Sequence, residues 1–161
     1  MEFKHILPAV AYKEEIEKWA NILRYSDTML FYNGTHEHGP MYIATDDTDG
    51  RYQWAIVDND RKLVGYISYQ VDYFSATAYS FGLVAFEKDK KSMTSGILEA
   101  ISHLESLKLH RIEFRGLSDN PATIRYRKIV KRYGGKDFLM TDVFKDATGK
   151  YHDVDVFEIL R

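Results

Sequence analysis

Cysteine is absent from the 161 residues. That excludes disulfides, thiolate metal sites and a thiol nucleophile. Proline occurs 3 times and glycine 10 times, and neither gathers into a linker or a low-complexity segment. One domain of ordinary size is therefore expected over residues 1–161. No apolar run approaches the length of a membrane span, and the first residues carry no signal-peptide pattern. No membrane partner is expected, and the cytoplasm is the expected compartment. Charge of neither sign dominates, since the formal net charge is −2. Nothing global attracts nucleic acid or an anionic surface. No internal repeat is visible.

What is present suits a globular domain. Hydrophobic residues make up 45% and charged residues 29% of the chain, enough apolar surface for a sizeable core. The 12 tyrosines fit half-buried strand positions.

Residues 2–7 alternate briefly and read as a first strand, limited by Pro8. Tyr12, Ile16, Trp19, Ala20 and Leu23 recur on one face of a helix. Residues 25–50 hold Asn33-Gly34, Gly39-Pro40 and an Asp/Thr run, so they read as loop with one short helix or turn. From Arg51 the period becomes two. Tyr52, Trp54 and Ile56 point one way, Asp58-Asn59-Asp60 turns the chain, and Leu63–Tyr73 and Thr77–Phe86 follow as strands. Short turns between three such strands predict an antiparallel meander. The next helix is capped by Ser92, or equally by Thr94 or Ser95, and carries Met93, Ile97, Ile101 and Leu104 on one side. Leu109–Gly116 is a strand. Asp119-Asn120-Pro121 opens a helix with the stripe Ala122, Tyr126, Ile129, Val130 and Tyr133, and Gly134-Gly135 ends it. Strands at 137–145 and 151–160 finish the chain. The fold class is mixed α/β: one twisted, mostly antiparallel sheet with helices on both faces.

The lysine-rich turn between the third strand of the meander and the second long helix is a candidate anion site, because a helix N-terminus offers free amides and a favourable dipole. His36-Glu37-His38 places two histidines at strand-like spacing, but no third ligand is evident. A solvated loop, or the lining of an acceptor pocket, are the other readings of that triplet. Arg125, Arg127, Lys128, Lys131 and Arg132 form a basic face on the late helix, either a solvated surface or an attraction for an anionic group.

Leu109-His110-Arg111-Ile112-Glu113, then Asn120-Pro121-Ala122-Thr123-Ile124-Arg125, then Val143-Phe144-Lys145-Asp146, then His152-Asp153-Val154 follow one another in order. In these segments the chain resembles the Gcn5-related N-acetyltransferases, specifically the branch that acetylates N-termini of ribosomal proteins. The likeness covers roughly residues 50–161. It implies an acetyl-CoA-dependent transfer of an acetyl group to an amine, carried by a small molecule or a peptide. It implies two central parallel strands that splay apart, here 78–86 and 110–116. The pantetheine arm is then expected along the backbone of Leu83, Val84 and Ala85. The pyrophosphate is expected on the turn 88–95, with Lys90, Lys91, Ser92, Met93, Thr94 and Ser95 as its contacts. The family builds that turn as Arg/Gln-x-x-Gly-x-Gly/Ala, and Ser92 and Thr94 stand at the two glycine places. Asn120 is expected to touch the pantetheine as well as to cap its helix. Thr123 stands where the branch has serine near the sulfur.

Tyr126 is the candidate acid for the leaving thiolate, with Tyr133 as a second candidate, and core packing as the alternative role. Glu113 is the candidate base, directly or through water, or else a partner for an arginine. Gln70 and Asp72 are candidate acceptor contacts. No metal is expected. A homodimer through the C-terminal strands is compatible with this arrangement. Two other functions stay open at this point. One is a non-catalytic member of the fold whose cleft binds a partner, and the other is nucleic-acid association through the basic helix.

Overall fold

The computed structural model describes residues 3–24, 43–45, 50–146 and 148–161. The expected second element within 25–50 and the His36-Glu37-His38 triplet lie outside the described residues. Strand β1 (Ile6–Pro8) leads through a 3-10 turn at Ala9–Tyr12 into helix α1 (Lys13–Arg24). The meander follows as β2 (Arg51–Val57), β3 (Leu63–Asp72) and β4 (Thr77–Ala85). Helix α2 (Lys90–Ser106), strand β5 (Arg111–Leu117), helix α3 (Thr123–Arg132) and the hairpin β6 (Lys136–Lys145)–β7 (Tyr151–Leu160) complete the chain. These strands form one sheet in the order β1-β2-β3-β4-β5-β7-β6. Among the described strands only the β4–β5 pair is parallel.

Alternation along the strands sorts the two faces. Ile56, Ile67, Tyr69, Val71, Ala78, Ile112, Phe157 and Ile159 pack with Ala100 and Leu104 of α2 and Val130 of α3. The opposite face collects Ala55, Val57, Tyr66, Val84 and Phe86 under Ile16 of α1, with Trp19 stacked on Phe86. Helices thus cover both faces, as the pattern predicts.

Helix α2 departs from expectation in its contact row. The buried line is Ser92, Gly96, Ala100 and Leu104. Of the expected stripe, Leu104 is in the core and Met93 packs against it, while Ile97 and Ile101 are only half-buried. Small residues let the helix axis approach the sheet. A Cβ placed on Gly96 would stand 2.5 Å from Cγ2 of Ile56. Glu99 on the same helix accepts the backbone N–H groups of Lys4, His5 and Ile6, at 3.2, 2.8 and 3.0 Å, and so fixes the first strand to α2.

The feature that shapes the molecule is a bulge in β4. Ser68 pairs with Gly82, but Gln70 pairs with Tyr79, so β4 carries one extra residue. Ser80, within it, sits at φ 54°, in the left-handed region that serine adopts at a cost of about 1 kcal/mol. The bulge switches the parity of the strand. Ala78 faces the α2 side before it, and Phe81 and Leu83 face the same side after it. A bulge also bends and twists its strand. β4 pairs with β5 only through Thr77 and Ala78, opposite Arg111 and Ile112, and then leaves it.

Candidate functional site

From Tyr79 to Ala85, β4 has a strand neighbour on one side only among the described residues. Its other edge faces the wedge opened between β4 and β5. The narrow end of that wedge is filled by rings. Phe81 of β4 lies 5.7 Å from Phe114 of β5, and Phe114 continues to Phe157 at 4.9 Å. Beyond Phe81 the free edge is the backbone of Leu83, Val84 and Ala85, the three residues expected to meet an extended ligand arm. An exposed strand edge offers an alternating row of N–H and C=O groups, which pairs with any extended amide-bearing chain.

Tyr126 packs behind the Phe114 ring. Its ring meets Phe114 and Phe157 edge-on, at 5.9 and 6.1 Å, and lies against Gly116 of β5. The ring therefore has the packing role that the apolar stripe predicts. The hydroxyl has no protein partner among the described residues. Burial pushes its pKa up, against a smaller downward pull from Arg125, so it stays protonated at neutral pH. Tyr133, the second candidate, instead carries the guanidinium of Arg161 over its ring at 5.1 Å.

Other expected site residues are engaged elsewhere. Thr123 is fully buried, and its hydroxyl donates to the Leu117 carbonyl at 2.8 Å, tying the start of α3 to the end of β5. Asn120 accepts the Ala122 N–H through its side chain at 2.9 Å, one turn ahead of the helix proper. The expected Asn120 cap is not formed: the helix starts at Thr123, its N-cap position is Ala122 without a side-chain cap, and Asn120 closes only the turn before it. Gly134 ends the helix in the left-handed conformation at φ 71°. Glu113 stands between two guanidiniums, 2.9 Å from Arg111 and 3.3 Å from Arg115. It points to the face opposite Phe114, so β5 separates it from Tyr126. Asp72 holds its own turn, accepting foremost from Ser75 Oγ and also from Phe74 N–H, which keep its carboxyl below the usual range.

The turn after β4 differs most from expectation. The helix begins at Lys90, and its cap is Asp89, not Ser92, Thr94 or Ser95. Asp89 Oδ1 accepts the N–H groups of Lys91 and Ser92, each at 3.0 Å, and Oδ2 accepts the Ser92 hydroxyl at 2.6 Å. Ser92, foremost through its hydroxyl, holds the Asp89 carboxyl below the ordinary range, so the group is charged at neutral pH. Ser92 itself is buried under the turn, and the Thr94 hydroxyl donates back to the Lys90 carbonyl at 2.7 Å. Ser92 to Ser95 are thus residues of the helix body rather than of a loop. A carboxylate between lysines carries no stronger capping signal than three nearby hydroxyls. Its capping role needs the helix to start at least three residues earlier than the pattern suggests.

The wedge therefore fits a pantetheine arm but not a diphosphate at the helix end. The free backbone edge matches an amide-bearing chain, whereas the amides that would hold phosphate oxygens already hold a carboxylate. Among the described residues no group of three metal-ligating side chains occurs, and no helix is long and apolar enough to cross a membrane.

Comparison with known proteins places this architecture. No family model and no curated protein sequence matches the chain. Solved structures do. Mutant forms of the spermidine/spermine N-acetyltransferase SpeG from Vibrio cholerae match over 96% of this chain and 91% of that one, with a TM-score of 0.68 and 17% identity. Another mutant of the Vibrio cholerae enzyme matches over 69% of this chain and 64% of that one, just under two thirds of its length, with a TM-score of 0.56 and 20% identity. The ribosomal-protein-S18-alanine N-acetyltransferase from Escherichia coli matches over 81% of this chain and 83% of that one, with a TM-score of 0.59 and 13% identity. This chain has the fold of the Gcn5-related N-acetyltransferases.

Proposed function

We propose that the chain is an N-acetyltransferase that moves an acetyl group from a pantetheine thioester, acetyl-CoA among them, to an amine. The observation that carries this reading is the wedge: β4 leaves β5 after Ala78, its edge is free among the described residues, and a protonated Tyr126 packs on Phe114, the β5 ring that Phe81 of β4 meets from the other strand. The neutral amine nitrogen attacks the thioester carbonyl carbon. The N–C bond forms, the C–S bond breaks, and the electron pair leaves with sulfur as thiolate. Tyr126 gives its hydroxyl proton to that sulfur and recovers one from solvent, and the amine's surplus proton passes to water. On this reading a strand amide of Val84 or Ala85 meets the charge that develops on the carbonyl oxygen. Glu113 enters this scheme only through water, given its two arginines. The cysteine-free chain needs no covalent intermediate. The acceptor is an amine of a small molecule or a peptide N-terminus.

The test is thiol release from acetyl thioesters against a panel of peptides, polyamines and amino sugars. The protein has no thiol of its own to disturb the assay. Amine-dependent release is expected, and Tyr126→Phe should lower its rate about 100-fold or more, the usual worth of a positioned general acid. Because the hydroxyl has no protein partner among the described residues, that variant should keep the parent's stability to within about 0.5 kcal/mol. No release with any amine would sink the reading.

A second reading has its own observation. The Asp89 cap occupies the helix end that a nucleotide diphosphate would need, as expected of a non-catalytic protein of this fold. Failure of CoA and of pantetheine alike to raise the melting temperature at millimolar concentration would favour it, since a ligand of the native state must stabilise it.

A further inference from the structure

The first turn of a helix leaves four amides without intrahelical partners. In α2 two of those four amides are already engaged, since Lys91 and Ser92 donate to the Asp89 carboxylate. The helix's own first i→i−4 bond starts at Met93, which donates to the Asp89 carbonyl at 3.1 Å. The charge on Asp89 is the sign that the helix dipole favours and the sign of a phosphate, so the two compete for one place. A second observation points the same way. Ser92 is buried beneath the turn and hydrogen-bonded to Asp89, and Thr94 turns its hydroxyl back to Lys90, so neither is directed at a ligand. In the family's loop pattern, the residue three before the first glycine place is Arg or Gln, and here it is Asp89. Lys88, Lys90 and Lys91 are exposed, and their charges are screened by solvent. The edge of β4, by contrast, carries no such occupant among the described residues.

We propose that this chain recognises its acyl donor through the pantetheine arm, and that Asp89 excludes a diphosphate from the end of α2. Acyl thioesters of pantetheine and of phosphopantetheine then serve as donors on a par with those of CoA. The proposal rests on the acetyltransferase reading and narrows its donor.

Dissociation constants for CoA, phosphopantetheine and pantetheine, measured by calorimetry on the full chain, test it without any acceptor. Asp89→Ser and Asp89→Asn are the variants, because serine and asparagine cap helices about as well as aspartate while removing the charge. The parent should bind all three ligands within about a factor of three of one another. Both variants should bind CoA about two- to fivefold more tightly than the parent, the size of a single-charge effect at an exposed helix end, and pantetheine unchanged. Unaltered helix content and melting temperature show that the cap survives. A parent that prefers CoA to pantetheine by about a hundredfold or more overturns the proposal. So do variants whose CoA-to-pantetheine ratio stays that of the parent. Both outcomes leave the acetyltransferase reading standing. Binding of none of the three by parent or variants refutes that reading, and the proposal with it.

Discussion

Arg127 ties α3 to two strands of the sheet through ion pairs, and removing it should carry a large cost. Its Nη2 lies 2.6 Å from Asp155 on β7, and its Nε lies 3.1 Å from Asp137 on β6. The Asp155 side chain is 2% exposed. Arg127→Met keeps much of the apolar stem but leaves the Asp155 carboxylate buried without its cation. Breaking a buried pair in this way costs about 3–5 kcal/mol. The arginine side chain is 34% exposed, so water reaches the pair from one side, and the lower end, about 3 kcal/mol, is the expected loss. For a chain of this size that corresponds to a fall of about 6–12 °C in melting temperature. Urea and thermal unfolding followed by circular dichroism would measure it. The double variant Arg127→Met/Asp155→Asn should regain at least about 1 kcal/mol, because the stranded charge is gone. A loss under about 1 kcal/mol for Arg127→Met, or a double variant no better than the single, would refute the view that this pair is buried and coupled.

Three further outcomes follow from local geometry. His152 is buried, with Nδ1 2.9 Å from Asp119 and Nε2 3.1 Å from Asp146, so both ring nitrogens carry protons and its pKa is raised, first by Asp146. A raised pKa means that its stabilisation is complete below the ordinary histidine value of about 6.5 and is lost as pH climbs through the folded value. The melting temperature should fall over that climb in the parent and stay flatter in His152→Gln; parallel curves would remove the imidazolium from the account. Asp119 and Asp146 have lowered pKa values, so their share is present above the ordinary carboxylate range and disappears on acidification through the lower, folded values. Gly96→Ala adds a good helix former, worth about 1 kcal/mol, yet its Cβ would meet Ile56 at 2.5 Å, and overpacking costs about 1–3 kcal/mol. A net loss of about 1 kcal/mol in urea unfolding is expected, and a net gain would show that α2 stands farther from β2 than described.

The elements were legible in the sequence wherever a period of two or 3.6 held over several residues. The meander of β2, β3 and β4, the Tyr126–Tyr133 stripe and the Gly134 stop all lie where the pattern puts them. The bulge at Ser80 was not legible, because one inserted residue merely shifts parity and no turn residue marks it. The wedge depends on that bulge and on a pairing between strands far apart in sequence, so it entered only through the family likeness. Arg127 belonged to a basic face in the helical pattern, but its partners Asp137 and Asp155 lie on strands that the pattern cannot place beside it. The contact row of α2 was missed because Ser92, Gly96 and Ala100 are small rather than apolar. Asp89 was missed as a cap because hydroxyl residues lay close by in a run of lysines.

The most direct test of the central claim is a crystal structure with a stable acetyl-pantetheine analogue or with CoA, read for one distance, from the ligand sulfur to the Tyr126 hydroxyl. An arm paired along Leu83–Ala85, with that distance near about 3.5 Å, is the predicted result, within reach of proton transfer once allowance is made for the size of sulfur. A ligand held away from the β4 edge, with its sulfur far from Tyr126, would contradict it.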